Sequence, residues 1–210
     1  AWKAVLWRGS DSESRESAIR HVAFTRDGKR LIGASADGTA RVWDLETRQQ
    51  MFVLQDRQDD PSSQSTGLVS AEFSPDNRRI LTVDADHIVK FWDATRGEFA
   101  GRLLEPTLEV TDAAFSPDAR WVATVSASWG QSGEVKIWDA RTGQMIGPVL
   151  PHADSVSAVC IGADGATLLT ASADQTARLW NLSGEQTRLP QLTHPWDQVA
   201  AQTNSIRAPE

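Results

Sequence analysis

The chain has 210 residues, of which 40% are hydrophobic and 23% charged, and its net charge is −7 at neutral pH. This is ordinary globular composition, and the acidic balance argues against general affinity for nucleic acid, which depends on lysine and arginine contacts to phosphate. A single cysteine, Cys160, excludes an internal disulfide and a cysteine-based zinc site. Its position between Val159 and Ile161 in a predicted strand indicates a buried, inert thiol, which suits a reducing compartment.

The sequence predicts neither a membrane helix nor a signal peptide. No run approaches the roughly 18 apolar residues that a membrane helix needs, so we predict no membrane association. The first residue is Ala1 rather than methionine, and residues 1–10 lack the shape of a signal peptide. We therefore expect an excerpt from a longer protein, and a cytoplasmic location.

Four similar segments follow one another, and each closes on Trp followed by Asp or Asn. The closing sequences are RVWD (41–44), KFWD (90–93), KIWD (136–139) and RLWN (178–181). Successive tryptophans of this set stand 42 to 49 residues apart. That spacing with a Trp-Asp signature is typical of propeller repeats, in which one repeat buries its faces only against its neighbours.

Within each segment the pattern predicts strand, turn, strand, turn, strand ending in Trp, turn and outer strand, without a helical period. Residues 1–7 are predicted to be the outer strand of a preceding blade, and residues 193–210 the start of a fifth. The four full blades are predicted at residues 8–55, 56–104, 105–150 and 151–192. In the last of them the strands are expected at 152–161, 166–172, 176–182 and 187–192, where Pro190 fits an outer edge strand.

On these motifs the chain resembles the WD40-repeat family of β-propellers over nearly its whole length. The resemblance implies an all-β fold with four full four-stranded blades and partial blades at both ends. Propellers of this family usually close with about seven blades, and two single strands do not make a good closing blade. We therefore expect an open arc of a larger ring, with edges that the full protein would cover.

The resemblance also implies a buried hydrogen-bonded set that ties each blade together. Its members are a His before the first strand, a Ser or Thr on the second, the Asp of the next turn and the Trp of the third. The fourth blade matches with His152, Thr170 or Ser172, Asp174 and Trp180. The chemistry is reasonable, because a buried indole needs an acceptor and a buried carboxylate needs donors.

The other blades match this set in part. The first keeps Ser35, Asp37 and Trp43, the second keeps Thr82, Asp86 and Trp92, and the third keeps Thr124 and Trp138. The His positions hold Arg15, Gln64 and Pro106 instead.

His152, Asp174 and Ser172 also imitate a nucleophilic triad. A working triad needs an exposed nucleophile and an oxyanion hole as well, and the resemblance implies a structural tie. We therefore predict that the chain is not an enzyme and needs no cofactor. The Asp clusters lack the spacing of a calcium loop, so no metal is predicted.

Extra length is concentrated in three connections, at residues 8–17, 55–66 and 128–133. Because strands alternate in direction, all three are expected on one face, and insertions gathered on one face often mark a binding face. The first two are acidic, and Trp129 resembles an interface anchor. Candidate partner-binding residues are Asp11, Glu13, Asp56, Asp59, Asp60, Trp129 and Gln131. The alternatives are solvated loops and, for Trp129, a lid packed on the neighbouring blade.

The opposite face is expected to be basic on the first two blades, through Arg26, Lys29, Arg30, Arg78 and Arg79. A basic partner would therefore be steered to the acidic side.

The leading hypothesis is a non-enzymatic scaffold that presents its loop-rich face to a protein or peptide, with no nucleic-acid, membrane or small-molecule partner. The degenerate repeats resemble those of bacterial WD-repeat proteins, in which the propeller is often joined to a Ser/Thr protein kinase. The alternative is therefore a regulatory or sensor propeller whose catalytic part lies elsewhere. No Gly-rich loop, HRD or DFG motif appears within the chain.

Overall fold

A computed structural model describes residues 18–55, 67–102, 109–127 and 132–182. Within these ranges every regular element is a β-strand, and the strands form four antiparallel sheets. Each sheet takes its strands in chain order, so neighbouring strands are joined as hairpins. The all-β prediction of consecutive propeller blades is thereby confirmed.

The first two blades have four strands each. The first consists of β1 (Ile19–Phe24), β2 (Arg30–Ser35), β3 (Thr39–Asp44) and β4 (Gln49–Gln55). The second consists of β5 (Leu68–Phe73), β6 (Arg79–Asp84), β7 (Val89–Asp93) and β8 (Phe99–Arg102).

The third and fourth blades are less regular at their outer edges. The third consists of β9 (Glu109–Phe115), β10 (Trp121–Ala127), β11 (Glu134–Asp139) and the two-residue β12 (Leu150–Pro151). The fourth shows β13 (Val156–Ile161), β14 (Thr167–Ser172) and β15 (Ala177–Asn181). Its predicted outer strand at 187–192 lies outside the described residues, as do the predicted partial blades at 1–7 and 193–210.

The turns between first and second strands repeat one local device. Thr25 donates its hydroxyl to Asp27 at 2.6 Å, and Asp27 in turn accepts the backbone N–H of Lys29 at 3.1 Å. Ser74 with Asp76 and Ser116 with Asp118 make the same hydroxyl–carboxylate bond in the next two blades. These short side chains satisfy turn backbone groups, which explains why these three hairpins reverse at their Asp.

The hydrophobic core lies between blades rather than inside one sheet. One cluster joins Ile32, Val42 and Leu54 of blade one to Ile80 and Trp92 of blade two. A second cluster joins blade two to blade three, and a third joins blade three to blade four. Each blade is therefore stabilised by the apolar surface that its neighbours remove from water.

The arc is open. No strand pairing joins the first sheet to the fourth in the described ranges. Apolar side chains are exposed at both ends, with Val22 59% and Phe24 63% exposed on β1 and Leu169 39% exposed on β14.

The prediction that Cys160 is buried is wrong, because Cys160 is exposed on β13. The equivalent position of blade two is Glu72, which blade three covers. No described blade lies on the corresponding side of blade four.

Alternating strand directions give each blade two edges. We call the edge that carries the starts of the first and third strands the entry face, and the opposite edge the exit face. Gly67 at the start of blade two has φ 110°, and a Cβ there would lie 2.2 Å from the carbonyl oxygen of Ala36 in blade one. The N–H of Gly133 in blade three likewise donates to the carbonyl of Asp154 in blade four at 3.2 Å. The entry edges of neighbouring blades thus meet in one surface.

Candidate functional site

A continuous set of hydrogen bonds ties the fourth blade together. The indole N–H of Trp180 donates to Thr170 Oγ1 at 3.0 Å, and the same oxygen lies 2.8 Å from His152 Nε2. His152 Nδ1 lies 3.2 Å from Asp174 Oδ2. Every contact is satisfied when Nδ1 carries the proton and Nε2 accepts from the Thr170 hydroxyl. Thr170 and His152 are 1% and 2% exposed, so the set is shielded from solvent.

The Asp174 carboxylate is held ionised by its donors. Burial raises its pKa, but hydrogen bonds from Thr176, Ala153 and His152 outweigh burial and hold the pKa well below its usual value. Arg178 adds a further donor at 3.0 Å. Burial lowers the pKa of His152, against the opposing effect of Asp174. An ionised carboxylate that accepts a hydrogen bond from a neutral imidazole is a structural arrangement.

The triad-like reading of this site lacks a nucleophile. Ser172 donates to the carbonyl of Asp154 at 3.0 Å and accepts the Asp174 N–H at 3.1 Å, so it shapes the turn. The hydroxyl that contacts His152 belongs to Thr170, which no substrate can reach at 1% exposure. Of the two hydroxyls proposed from the sequence, Thr170 therefore joins the set.

Blades two and three show the indole contact among their described residues. Trp92 donates to Thr82 Oγ1 at 2.9 Å, and Trp138 donates to Thr124 Oγ1 at 2.8 Å. Gln64 and Pro106, at the His positions, lie outside the described residues, as does Arg15.

In blade one, Asp37 accepts the N–H and the hydroxyl of Thr39 at 2.9 and 2.6 Å. Ser35 Oγ accepts the N–H of Asp37 at 3.2 Å, and Trp43 is 5% exposed.

The assignment of Asp86 to the buried set of blade two is wrong. Asp86 is exposed, and its neighbour Asp84 is 1% exposed and accepts the Ile88 N–H at 2.8 Å. Asp84 also lies 4.0 Å from the ammonium of Lys90, whose side chain is 7% exposed. The sequence VDAD offers two carboxylates two residues apart, and blade two buries the first because a buried cation on the next strand faces it.

The predicted partner-binding residues Asp11, Glu13, Asp56, Asp59, Asp60, Trp129 and Gln131 all lie outside the described residues. The strands that flank them are described, however. Gln55 and Gly67 flank the second insertion, Ala127 and Ser132 flank residues 128–131, and Ala18 follows the first. All these flanking positions lie on the entry face.

The described part of the entry face adds exposed charge of its own. Asp86 and Glu109 are exposed there, and so are two cations, Arg20 and Arg102. Asp86 thus belongs to the surface of this face rather than to the interior of its blade.

Polar side chains of the inner strands bridge successive blades, which sequence reasoning missed. Glu72 of β5 accepts the N–H of Phe115 at 3.1 Å, and Asp112 of β9 accepts the N–H of Val159 at 3.1 Å. Between blades one and two, His21 Nδ1 lies 2.9 Å from the carbonyl oxygen of Ala71. The available signal was an ionisable residue inside an otherwise apolar first strand.

Burial governs the titration of the two carboxyls. It raises the pKa of Glu72 to about 7, an effect that the Phe115 N–H opposes and the nearby Asp112 reinforces. Burial also raises the pKa of Asp112, against hydrogen bonds from Val159 and Ala113.

The exit face is less basic than the sequence suggested. Arg26, Lys29 and Arg78 are exposed there, whereas Arg30 and Arg79 hydrogen-bond to the carbonyl groups of the following blade. Among the described residues, no group of three or more His, Cys, Asp or Glu could hold a metal ion. No helix within the same ranges is long and apolar enough to cross a membrane.

A family model described as "WD domain, G-beta repeat" matches residues 10–44, 61–93, 98–139 and 144–181, well over half of the chain. A 44-residue segment is 39% identical to apoptotic protease-activating factor 1 of Rattus norvegicus, covering 21% of this chain and 4% of that protein. The chain therefore spans a small fraction of the length of that relative.

The crystal structure of the computationally designed Ika4 protein is similar with a TM-score of 0.65 and 24% sequence identity. The similarity covers 81% of this chain and 95% of that one, and it concerns the fold alone.

Proposed function

Because the chain belongs to the WD40-repeat family, we propose that it is a non-enzymatic scaffold that holds a protein or peptide partner on its entry face. WD40 domains generally mediate protein–protein interactions and are generally non-catalytic. The observation that supports the choice of face is topological. The flanks of all three inserted connections lie on the entry face, and insertions on one face of a repeat protein often form its binding surface.

Electrostatics supports a partner with basic character. On the described part of the entry face the exposed Asp86 and Glu109 are balanced by Arg20 and Arg102, so the negative excess comes from the acidic connections at 8–17 and 56–66 that attach to this face. A local excess of negative charge speeds the approach of a basic partner, and added salt screens the effect. Binding should therefore weaken as the ionic strength rises.

The absence of catalysis is part of the proposal. The His152 set has no accessible hydroxyl, because Thr170 is 1% exposed and Ser172 bonds to backbone groups of the turn. A buried tie of this kind stabilises a blade and leaves its edges to bind.

The test is a quantitative crosslinking comparison in native lysate. The test variant combines Trp129→Ala with Asp56→Asn, Asp59→Asn and Asp60→Asn on the entry face. The control carries Arg26→Gln, Lys29→Gln and Arg78→Gln, which alters three exposed charges on the exit face. We expect the entry-face variant to lose partners that the control retains. Equal partner sets for both variants would contradict the proposal.

A further inference from the structure

An arginine crosses from blade one to blade two at the exit face. Arg30, at the start of β2, donates from Nη1 to the carbonyl oxygen of Ala94 at 2.5 Å and from Nη2 to that of Asn77 at 2.8 Å. Its guanidinium carbon lies 5.2 Å from the ring centroid of Phe73, a cation–π distance. The first joint between blades thus holds a guanidinium against two carbonyl groups and an aromatic ring.

The second joint repeats one of these contacts. Arg79, at the start of β6, donates from Nη1 to the carbonyl oxygen of Ala140 in blade three. Ala140 and Ala94 occupy the same place in their blades. The N–H of Ala140 donates to the backbone carbonyl of Arg120 and that of Ala94 to the backbone carbonyl of Arg78, both at 2.9 Å.

The third joint has no such arginine, because Trp121 stands at the start of β10. A half-open cavity of about 580 Å³ lies there, lined by Trp121, Ile146, Leu150, Gly165 and Leu182 among others. The outer strand of blade three is interrupted beside it, since Ile146 still bonds to Ile137 but β12 resumes only at Leu150. In blade one the unbroken β4 brings Phe52 close to Gly97 of blade two.

Blade four has residues at the same two positions whose carbonyl groups accept from Arg30 in blade two. Gly165 corresponds to Asn77, because their φ angles are 65° and 59° and the N–H of each donates to the carbonyl oxygen three residues earlier. Leu182 corresponds to Ala94, since its N–H donates to Ala166 at 2.7 Å. No donor from the described ranges reaches the carbonyl oxygen of Gly165 or Leu182. Gly165 and Leu182 both line the cavity, which lacks a cation like the one that meets both acceptors at the first joint and one of them at the second.

We propose that this cavity binds the guanidinium group of an arginine supplied by a protein partner. Trp121 offers an aromatic face for a cation–π contact, and Ile146 and Leu150 can cover the methylene stem. The described lining residues include no Lys or Arg, and the chain has a net charge of −7. The volume lies within the roughly 300–1,000 Å³ of small-ligand sites, which leaves room for an apolar residue next to the arginine.

This site is separate from the entry face and does not depend on the function proposed above. Its occupant replaces in trans what Arg30 and Arg79 do within the chain. A guanidinium suits the site better than an ammonium, because its planar group can donate to two carbonyl groups at once.

The direct test is an NMR titration of the full chain with three probes. Nα-acetyl-arginine N-methylamide is the ligand mimic, and the corresponding citrulline and lysine derivatives keep the length but remove the charge or the planar fork. We expect the arginine probe to shift the Trp121 indole and the amides of Gly165, Ala166 and Leu182. The citrulline probe should bind about ten- to hundredfold more weakly, as expected when a charge-assisted hydrogen bond is lost.

Three variants decide whether the cavity is the site. Trp121→Arg places a guanidinium in the joint, and Ile146→Lys places a positive charge at a lining residue that is 42% exposed. Both should lose arginine binding by at least about tenfold. Met145→Lys is the matched control, since Met145 is 47% exposed and does not line the cavity. It should bind as the parent chain does.

Several results would overturn the proposal. They are no binding by the parent chain, equal binding of the citrulline probe, or shifts confined to the entry face. Equal losses in Ile146→Lys and Met145→Lys would show a general charge effect and would also overturn it. Free arginine binding more tightly than the blocked derivative would point to a small metabolite instead of a partner's side chain.

Discussion

Asp84 and Lys90 face each other across the hairpin of blade two, 4.0 Å apart, with side chains that are 1% and 7% exposed. Asp84→Asn keeps an acceptor for the Ile88 N–H but removes the carboxylate charge that faces the buried Lys90 ammonium. Loss of one member of a buried ion pair should lower the free energy of unfolding by about 3–5 kcal/mol. Urea unfolding followed by tryptophan fluorescence measures this change.

The matched control for that variant is Asp86→Asn, two residues away on the surface. It should change the free energy of unfolding by no more than about 0.5 kcal/mol. Equal destabilisation by the two variants would contradict the assignment of Asp84 to the interior.

Thr170 and Thr82 allow a graded test of the indole contact. Thr82→Val leaves the Trp92 N–H without its acceptor and should cost about 1–3 kcal/mol. Thr170→Val removes the same contact to Trp180 and also separates His152 from the set, so its effect should be larger. Ser172→Ala, which leaves those contacts intact, should cost less than Thr170→Val in the same unfolding experiment.

Glu72 should make stability fall as the pH rises. Its pKa is raised from 4.5 to about 7 in the folded chain, so folding favours the protonated carboxyl. The stabilising contribution is complete below about pH 4.5 and is lost as the pH passes 7, with an upper limit of about 3 kcal/mol. Glu72→Gln keeps an acceptor for the Phe115 N–H without the charge.

The measurement for Glu72 is the urea midpoint at pH 5 and pH 8. We expect a smaller difference between the two midpoints in Glu72→Gln than in the parent chain. An unchanged difference would show that Glu72 does not titrate in this range.

His152 should titrate in the opposite sense. Burial lowers its pKa below 6.5, so its contribution to stability is present above that pH and is lost as the pH falls through the lowered value. An NMR titration of the imidazole should give a midpoint below 6.5. Asp174→Asn should lower the midpoint further, because the carboxylate favours the imidazolium. A midpoint that rises in the variant would contradict this view of the pair.

Local sequence could predict the features that depend on one repeat. The Trp-Asp closings and the Asp-containing turns mark the hairpins, and both patterns are set by short-range hydrogen bonds. The contacts of Trp92 and Trp138 with threonines across a hairpin follow from the same regularity.

Features that depend on a neighbouring blade were not predictable in this way. Cys160 has the pattern of a buried strand residue, but its exposure depends on which blade lies beside β13. Asp86 matches the turn Asp of the other repeats, yet Asp84 is the carboxylate that is buried, because it faces the buried Lys90. The cavity beside Trp121 likewise arises from an exchange of Arg for Trp together with a break in another strand.

The bridges that His21, Glu72 and Asp112 make between inner strands use different chemistry: an imidazole at the first joint, and carboxyls at the second and third. Each suits only the backbone opposite it, so the blades are not interchangeable parts. A gene in which two repeats were transposed would keep every Trp-Asp closing and still lose these matches. The polar side chains of the inner strands therefore help to determine the order in which the blades follow one another.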